Sequence, residues 1–482
     1  MADSNLKQKT AKGLLWGGMS NVMQQLLNAV FGIVIARLLS ESDYGMIGML
    51  TVFILVANSL QECGFTNALA NRPNFEHRDY NAVFWFSTMM GLGMYALLFV
   101  CSPLVAQFYG EPELKPLLRY LSLSFVFSST ATAHNAYMFK RLMVKGKSIA
   151  QITALVVSGT LGMVMAYKGM AYWGLATQTV VYTFTYALMM WIFSPWRPTF
   201  NFDFGPIRQM IGFSSKMLIT NIFMQLNNNI FSVLLGKLYT RCEVGLYSQA
   251  NKWESMVHNS ITSMITGVAQ PVLRSVEGDD ERQREVFRKL LRFTAFVSFP
   301  AMFGLALIAK EFIVVTVTER WLGCVRMLQL LCLWGAFQPI TMLYANMVIS
   351  KGRSNVYMYN YVAIGIVQLT VLLLVHSLGI QAMIVAFVAV NVLWLLVWHS
   401  FVHRYIGLRL WHTLADITPF AAIAAVTMTV TYASTLWIAD MRLLLAARVV
   451  IAAVIYVAIL KITHAAILKE CVAYLTKKKK QQ

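Results

Sequence analysis

The chain contains about fourteen apolar segments, each long enough to cross a bilayer and separated from the next by a polar connection. A membrane-spanning helix needs about 20 predominantly apolar residues. Inside hydrocarbon the backbone must satisfy its own hydrogen bonds, so each such segment is predicted to be a helix. The segments lie near residues 13–38, 44–64, 81–109, 116–139, 149–167, 170–194, 207–236, 244–272, 287–315, 323–349, 356–376, 379–402, 414–437 and 443–464.

The composition agrees with this interpretation. Of the 482 residues, 58% are hydrophobic and only 13% are charged, whereas a soluble domain is about half apolar and a quarter charged. The short alternating strands of a membrane β-barrel are not evident in the sequence. The sequence therefore predicts an all-α polytopic membrane protein.

The net charge of +19 indicates orientation in a membrane, because most basic residues lie in connections on one side. Cytoplasmic loops are enriched in Lys and Arg, so both termini are predicted to be cytoplasmic, as an even number of spans also requires. The terminal run Lys477–Lys480 is predicted to be a lipid-facing tail. No basic stretch interleaved with aromatic residues suggests binding of nucleic acid.

Residues 21–45, NVMQQLLNAVFGIVIARLLSESDYG, align without a gap to residues 221–245, NIFMQLNNNIFSVLLGKLYTRCEVG. The copies begin at the first and seventh spans, so both cross the membrane in the same direction, as in a parallel repeat. We therefore predict a six-helix lobe at residues 1–200 (spans 1–6), a second at 201–405 (spans 7–12), and a C-terminal hairpin with a basic tail at 406–482 (spans 13–14). A central cavity is expected between the lobes.

Each copy carries a stripe of amide side chains. The stripes are Asn21, Gln25 and Asn28 in the first copy and Asn221, Gln225 and Asn228 in the second. The spacing i, i+4, i+7 places each stripe on one helix face. Amides in hydrocarbon are costly unless hydrogen bonded, so these faces meet either another helix, at about 0.6 kcal/mol per contact, or water. We predict that they line a hydrated substrate cavity, because amides donate to and accept from sugar hydroxyls.

Charged residues within the spans are functional candidates. Lys252 and Glu254 lie two positions apart in the eighth span, so they point in different directions. Lys252 is predicted to line the substrate cavity and to meet an anionic substrate, with pairing to another helix as the alternative. Lys216 and Arg448, near span ends, are expected to extend toward the membrane surface.

No signature of catalysis or of a cofactor is found. The six cysteines have no CxxC spacing, so neither a metal site nor a disulfide framework is indicated. The sequence has no GxGxxG, P-loop or HExxH motif, and the loops are too short for an active-site domain. We predict a protein that is not an enzyme, requires no cofactor or metal, and is not driven by ATP.

Four stretches resemble the bacterial O-antigen and exopolysaccharide flippases, the polysaccharide transporters of the multidrug/oligosaccharidyl-lipid/polysaccharide exporter superfamily. They are RLLSESDYGMIGM, ANRPNFEHRDYNAVFWFS, SPLVAQFYGEPELKPLLRYLSL and GLYSQANK. The similarity extends over most of residues 10–405, as several loose motifs in order. The C-terminal hairpin is poorly patterned.

This resemblance implies two six-helix lobes around a central cavity, with two extra C-terminal helices. It implies flipping of undecaprenyl-pyrophosphate-linked oligosaccharide across the bacterial inner membrane by alternating access, with polysaccharide polymerase and chain-length proteins as partners. For such a substrate, Arg37, Lys216 and Arg326 are candidates for pyrophosphate or gating charges. Glu62 and Glu254 are candidates for ion coupling.

Three alternatives remain open from the sequence. A multidrug or cation-coupled exporter of the same superfamily is expected to have twelve spans and a buried acid. A flippase for the lipid-linked peptidoglycan precursor also has fourteen spans, but the four stretches fit the polysaccharide group better. A membrane glycan polymerase would need a large periplasmic loop.

Overall fold

The computed structural model describes residues 2–62, 76–141 and 143–463, and within these ranges the chain is helical without β-strands. The first seven α-helices are α1 (Ala2–Leu38), α2 (Glu41–Glu62), α3 (His77–Tyr109), α4 (Leu114–Leu121), α5 (Leu123–Lys140), α6 (Val144–Tyr167) and α7 (Tyr172–Phe193). The others are α8 (Gly205–Leu238), α9 (Arg241–Ser275), α10 (Asp280–Phe312), α11 (Gly323–Ser350), α12 (Ser354–Val375), α13 (Ile380–Ile406), α14 (Leu410–Ser434) and α15 (Met441–Ile462).

Every predicted span coincides with a helix, and the fourth span is divided between α4 and α5 at Ser122. Ten segments of the described chain are long and apolar enough to cross a membrane by length and composition. Helix α9 is not among them, and it carries Lys252, Glu254 and His258 within its length. The prediction of an all-α polytopic membrane protein with about fourteen transmembrane helices is confirmed.

The chain divides into two compact units, the first ending at Gly245 and the second beginning at Leu246. Within the first unit α6 packs against α1 and α7, α3 packs against α5, and α2 packs against α8. Within the second unit α10 is central and packs against α11, α14 and α15. The division into lobes at residues 1–200, 201–405 and 406–482 stays a prediction.

The internal repeat builds the same local structure twice, at the start of α2 and at the start of α9. Before α2, the backbone N–H and the hydroxyl of Ser40 both donate to Asp43 Oδ2, at 2.9 and 2.7 Å. Before α9, the corresponding groups of Thr240 donate to Glu243 Oε2 at 3.0 and 2.9 Å. Such reciprocal caps satisfy N–H groups that a helix start leaves without partners. Positions 200 residues apart therefore have equivalent structure.

These two helix starts pack against each other through the repeat-related glycines. A Cβ atom on Gly45 would overlap the carbonyl oxygen of Arg241, and one on Gly245 would overlap the carbonyl oxygen of Glu41. The same Cβ on Gly245 would lie 3.1 Å from the backbone nitrogen of Gly45. The helices thus approach backbone to backbone, and only glycine fits at either position.

Polar contacts surround this crossing. Arg241 binds Glu111 and, at 3.1 Å, Glu113, so the α3–α4 connection is tied to the start of α9. These carboxylates raise the pKa of the Arg241 guanidinium above its ordinary value, chiefly through the hydrogen bonds that Arg241 donates to Glu111. Lys237 donates to the carbonyl oxygen of Phe108 at 2.5 Å. The α3–α4 connection therefore holds the ends of α8 and α9 in place.

Replacement of Gly45 by alanine tests the close approach. Alanine favours an α-helix over glycine by about 1 kcal/mol, so helix propensity alone predicts stabilisation. We expect the opposite, a lower thermal unfolding temperature of the purified protein in detergent, because the added methyl group forces α2 and α9 apart.

The matched control is Gly93→Ala in α3, where an added Cβ meets no atom within 4 Å. This variant is expected to match or exceed the wild-type unfolding temperature. Equal unfolding temperatures for the Gly45→Ala and Gly93→Ala variants would contradict the packing described.

Candidate functional site

A cavity with both polar and apolar walls lies at the end of α6 nearest its first residues, within the first unit. Its volume is about 300 Å³. Helix α1 contributes Ser20 and Asn21, α5 contributes Met138 and Phe139, and α6 and the residue before it contribute Met143, Val144, Lys147, Ser148 and Gln151. Asn21 of the predicted stripe is therefore an exposed amide that borders a cavity.

A second cavity lies further along the same two helices. Its volume is about 260 Å³, and Gln24 and Asn28 of α1 border it. The opposite wall consists of Leu155 and Ser158 of α6 and Gln178, Thr179 and Tyr182 of α7. Polar groups thus surround Asn28, the last residue of the predicted stripe.

Gln24 lies between the two cavities and joins the helices that line them. Its amide nitrogen donates to Ser20 Oγ at 2.9 Å and to Gln151 Oε1 at 3.3 Å. We call the polar side chains of these helices, from Ser20 to Asn28 and from Ser148 to Ser158, the α1–α6 polar track. The track advances about 12 Å along α1, at 1.5 Å per residue. It offers donors and acceptors alternately, as a polyhydroxyl ligand requires.

The second copy of the stripe is on α8. Asn221 and Gln225 are half-buried and Asn228 is exposed. Asn229 donates to the backbone oxygen of Gln225 at 2.9 Å, a bond within the helix itself. Gln25, the middle residue of the first stripe, is likewise half-buried. The role of both stripes in binding a substrate stays a prediction.

The charged residues of α9 point in different directions, as their spacing predicts. The ammonium of Lys252 lies 5.5 Å from the ring centroid of the adjacent Trp253. Glu254 is only 2% exposed, and its carboxylate is 2.8 Å from Nδ1 of His258, one turn further along the helix. Glu254 therefore has a basic partner on its own helix, and Lys252 is not that partner.

Helix α11 receives the Glu254 side chain at a glycine. A Cβ atom on Gly335 would overlap the Glu254 carboxylate. Further along the same face of α9, Thr262 donates to Gln338 of α11 at 2.9 Å. A polar seam of α9, at positions i, i+4 and i+8, thus faces α11 within the second unit.

The other charged candidates are not brought to a common site. Arg37 and Arg326 have exposed side chains. The side chains of Lys216 and Glu62 lie outside the described residues. Their predicted roles with pyrophosphate or coupling ions stay predictions.

Arg448 does not extend to the membrane surface, and that expectation is wrong. Its side chain is buried and binds Glu311 of α10 at 2.8 Å. Its Nε also donates to Thr435 Oγ1 at 3.2 Å, and the guanidinium lies 5.1 Å from the Tyr432 ring. The pair connects the C-terminal hairpin to α10. The sequence shows only that Arg448 lies near the end of a span, and nothing in it indicates that its partner is Glu311, 137 residues earlier.

A second ion pair between the same elements was also missed. The carboxylate of Asp416 in α14 accepts from Arg288 of α10 at 2.7 and 3.1 Å. Arg292 lies 3.5 Å from the same carboxylate. The only sequence signal was that Asp416 is an acid near the start of a predicted span. The helix that carries its basic partner Arg288 begins 136 residues earlier, at Asp280.

The Arg448–Glu311 pair generates a stability prediction. Removing one partner of a buried pair leaves an uncompensated charge and costs about 3–5 kcal/mol, whereas replacing both by apolar residues is often neutral. We expect Arg448→Met to lower the thermal unfolding temperature strongly and the double variant Arg448→Met/Glu311→Leu to recover most of the loss. The exposed Arg442 of the same helix supplies the control Arg442→Met, with little change. A double variant no more stable than Arg448→Met would disprove the assignment.

A family model described as "Polysaccharide biosynthesis protein" matches residues 34–326. The match covers more than half of the chain. The chain belongs to this polysaccharide biosynthesis family. The resemblance noted in the sequence is thereby confirmed.

Curated members of the family are similar over most of their length. The chain is 24% identical over 358 residues to the lipopolysaccharide biosynthesis protein WzxC of Escherichia coli K12, covering 73% of this chain and 72% of that protein. It is 22% identical to the teichuronic acid biosynthesis protein TuaB of Bacillus subtilis 168, covering 74% of each. It is 23% identical to the succinoglycan biosynthesis transport protein ExoT of Rhizobium meliloti 1021, covering 60% of this chain and 58% of that protein.

Solved structures with the same fold are transporters. The lipid II flippase MurJ in an inward closed conformation matches with a TM-score of 0.79 and 12% identity, covering 94% of this chain and 100% of that one. An inward-facing multidrug resistance transporter of the MATE family matches with a TM-score of 0.64 and 15% identity, covering 82% and 98%. At these identities the likeness establishes the fold alone.

Proposed function

We propose that the protein is a flippase that translocates undecaprenyl-pyrophosphate-linked oligosaccharide from the cytoplasmic to the periplasmic leaflet by alternating access. The cargo is the repeat unit of an O-antigen, capsule or exopolysaccharide. The observation that carries the proposal is the α1–α6 polar track, which lies within membrane-spanning helices of a polysaccharide biosynthesis family member. Such helices have no need of exposed amides unless the amides meet water or a polar ligand.

The track suits a glycan because its side chains are neutral and can both donate and accept. The amides of Asn21, Gln24 and Asn28 provide these groups along α1. Sugar hydroxyls and acetamido groups need the same combination. The lipid tail stays in the bilayer while the glycan replaces water along the track. Asn221, Gln225 and Asn228 serve the same purpose on α8 in this proposal.

Charge assists the movement of the pyrophosphate. Moving an anion out of a negative interior gains about 2.3 kcal/mol per charge per 100 mV if it crosses the full field. Lys252 offsets the pyrophosphate charge within the cavity, and Arg37, Lys216 and Arg326 act near its ends. Glu254, held by His258, is the candidate for coupling to a cation, together with Glu62.

A multidrug exporter is the second candidate, and the buried acids weigh against it. In the described part of the chain these acids are Glu254, Glu311 and Asp416. Each already binds a basic side chain: His258, Arg448 and Arg288, respectively. A cationic drug would have to displace an arginine from Glu311 or Asp416, and Glu254 is assigned to cation coupling in this proposal. The fold likeness to MurJ suits a peptidoglycan-precursor flippase equally, but the family match favours polysaccharide.

An enzyme that polymerises glycans is disfavoured by the connections on the predicted periplasmic side. The longest stretch between α-helices there, residues 313–322, has ten residues and itself consists mainly of a short π-helix and a short 3-10 helix. No active-site domain fits in such a connection. The proposed location is the bacterial inner membrane with both termini cytoplasmic, and the proposed partners are the glycan polymerase and chain-length proteins.

Deletion of the gene tests the function directly. If the protein is the flippase, complete lipid-linked repeat units accumulate without polymerisation and remain inaccessible to reagents added from the periplasm. Restoring the wild-type gene returns them to the periplasmic leaflet. Extraction of lipid-linked glycans from intact and lysed spheroplasts measures this. Polymerised glycan on the cytoplasmic face, or an unchanged glycan profile, contradicts the proposal.

The double variant Asn21→Leu/Asn221→Leu tests the amide stripes. It removes one amide from each copy. We expect export of the glycan to fall at least about tenfold, because one to two net hydrogen bonds to the glycan are lost. The protein level should stay normal.

The control is Thr418→Leu/Thr429→Leu in α14, where each exposed hydroxyl bonds only within its own helix. Export should be unchanged in this control. Equal export by the amide variant and the control would mean that the stripes only pack helices together.

A further inference from the structure

The cavity at the start of α6 contains several hydrogen-bond donors and no carboxylate. The donors are the ammonium of Lys147, the amides of Asn21 and Gln151, and the hydroxyl of Ser148. Gln151 accepts from Gln24 through its oxygen, which leaves its own N–H groups to donate. The volume of about 300 Å³ is at the lower end of ordinary ligand pockets.

Ser20 and Ser148 are the buried polar residues of this cavity, each only 4% exposed. Ser20 Oγ accepts from Gln24 at 2.9 Å. The hydroxyl of Ser148 lies in the cavity wall, where a hydroxyl can donate to a ligand or to water. The first residues of α6 lie at the same wall. A helix start presents unpaired N–H groups and a partial positive charge to whatever occupies such a cavity.

Basic residues are concentrated in the sequence around the start of α6. Residues 140–147, KRLMVKGK, contain four basic residues, and no Asp or Glu occurs between Glu113 and Asp203. Lys140 does have an acidic neighbour in Asp79, which opposes the lowering of its pKa by burial. Lys147 is half-buried and borders the cavity, whereas Lys145 is exposed and lies 5.5 Å from the ring of Trp16. Of these two lysines, only Lys147 borders the cavity.

We propose that this cavity binds the pyrophosphate of the lipid-linked glycan, with Lys147 as the principal charged contact and Ser148, Asn21 and Gln151 as hydrogen-bond donors. The proposal rests on the flippase function and adds the place where the cargo's phosphates are first held. A neutral sugar has no need of an ammonium group, whereas phosphate oxygens favour charged donors. On the predicted orientation the cavity lies at the cytoplasmic surface of the membrane, the depth of the phosphates of lipids in that leaflet.

The adjoining track makes the arrangement directional. From the cavity, Gln24 leads to the second cavity bordered by Asn28, deeper along α1. Phosphate at the cytoplasmic end and amides beyond it match a substrate whose charged group and glycan are covalently adjacent.

The test is binding to the purified full-length protein in phosphatidylcholine nanodiscs. The probes are undecaprenyl pyrophosphate and, without phosphate, undecaprenol. Lys147→Gln is expected to weaken binding of undecaprenyl pyrophosphate about tenfold to a hundredfold, the effect of losing a charged hydrogen bond. Binding of undecaprenol should not change, and Lys147→Arg should retain most of the affinity.

Lys145→Gln is the matched control. It removes the same charge two residues before Lys147, and the Lys145 side chain does not border the cavity. Its affinity is expected to stay within about twofold of wild type by the small effect of exposed charges. Equal weakening by Lys145→Gln and Lys147→Gln would overturn the proposal, as would unaltered binding by Lys147→Gln. Unchanged thermal unfolding of each variant establishes that the protein is folded.

A second arm distinguishes the cargo from ordinary anionic lipid. Phosphatidylglycerol added to the nanodiscs should compete only weakly. Competition at equal concentration would assign the cavity to bulk lipid headgroups and overturn the proposal. Wild-type protein that binds no undecaprenyl pyrophosphate at all would instead contradict the proposed function itself.

Discussion

A polar group inside hydrocarbon must be hydrogen bonded or hydrated, and this requirement accounts for most of the structure. The buried acids of the second unit each have a basic partner, and two of these pairs connect α10 to the C-terminal hairpin. In the first unit the amides and hydroxyls of α1 and α6 border cavities. The two units therefore use polar side chains differently: in the second unit ion pairs join helices, and in the first unit amides and hydroxyls lie at cavity walls.

Helix packing in the first unit is looser at one place than at another. Toward the predicted cytoplasmic side, α1 and α6 leave room for groups of atoms between them. Toward the opposite side, α2 and α9 leave no room even for a methyl group at Gly45 and Gly245. The caps at Ser40 and Thr240 give both helix starts the rigidity that such a close crossing needs.

The helices could be predicted from the sequence because each needs only its own residues: about 20 apolar positions and short connections. The internal repeat could also be predicted from the sequence. Its two capping boxes, Ser40 to Asp43 and Thr240 to Glu243, are a sequence pattern that indicates where α2 and α9 begin. The partners of Arg448 and Asp416 could not be predicted, since each lies more than 120 residues away on another helix. Among the amides, Asn21 and Asn28 border cavities within the first unit, and the cavity between the lobes stays a prediction. Gln24 rather than Gln25 bridges α1 to α6, because neighbouring helices select the face.

Gly45 and Gly245 each lie against the backbone of the other helix start, and this contact also limits which residues the sequence can carry at these positions. Elsewhere in a core, a larger residue on one side is commonly accommodated by a smaller one on the other. Here no smaller residue exists, since the opposing surface is already bare backbone. Suppressors of a substitution at either glycine must therefore arise at other sites, where they shift a whole helix.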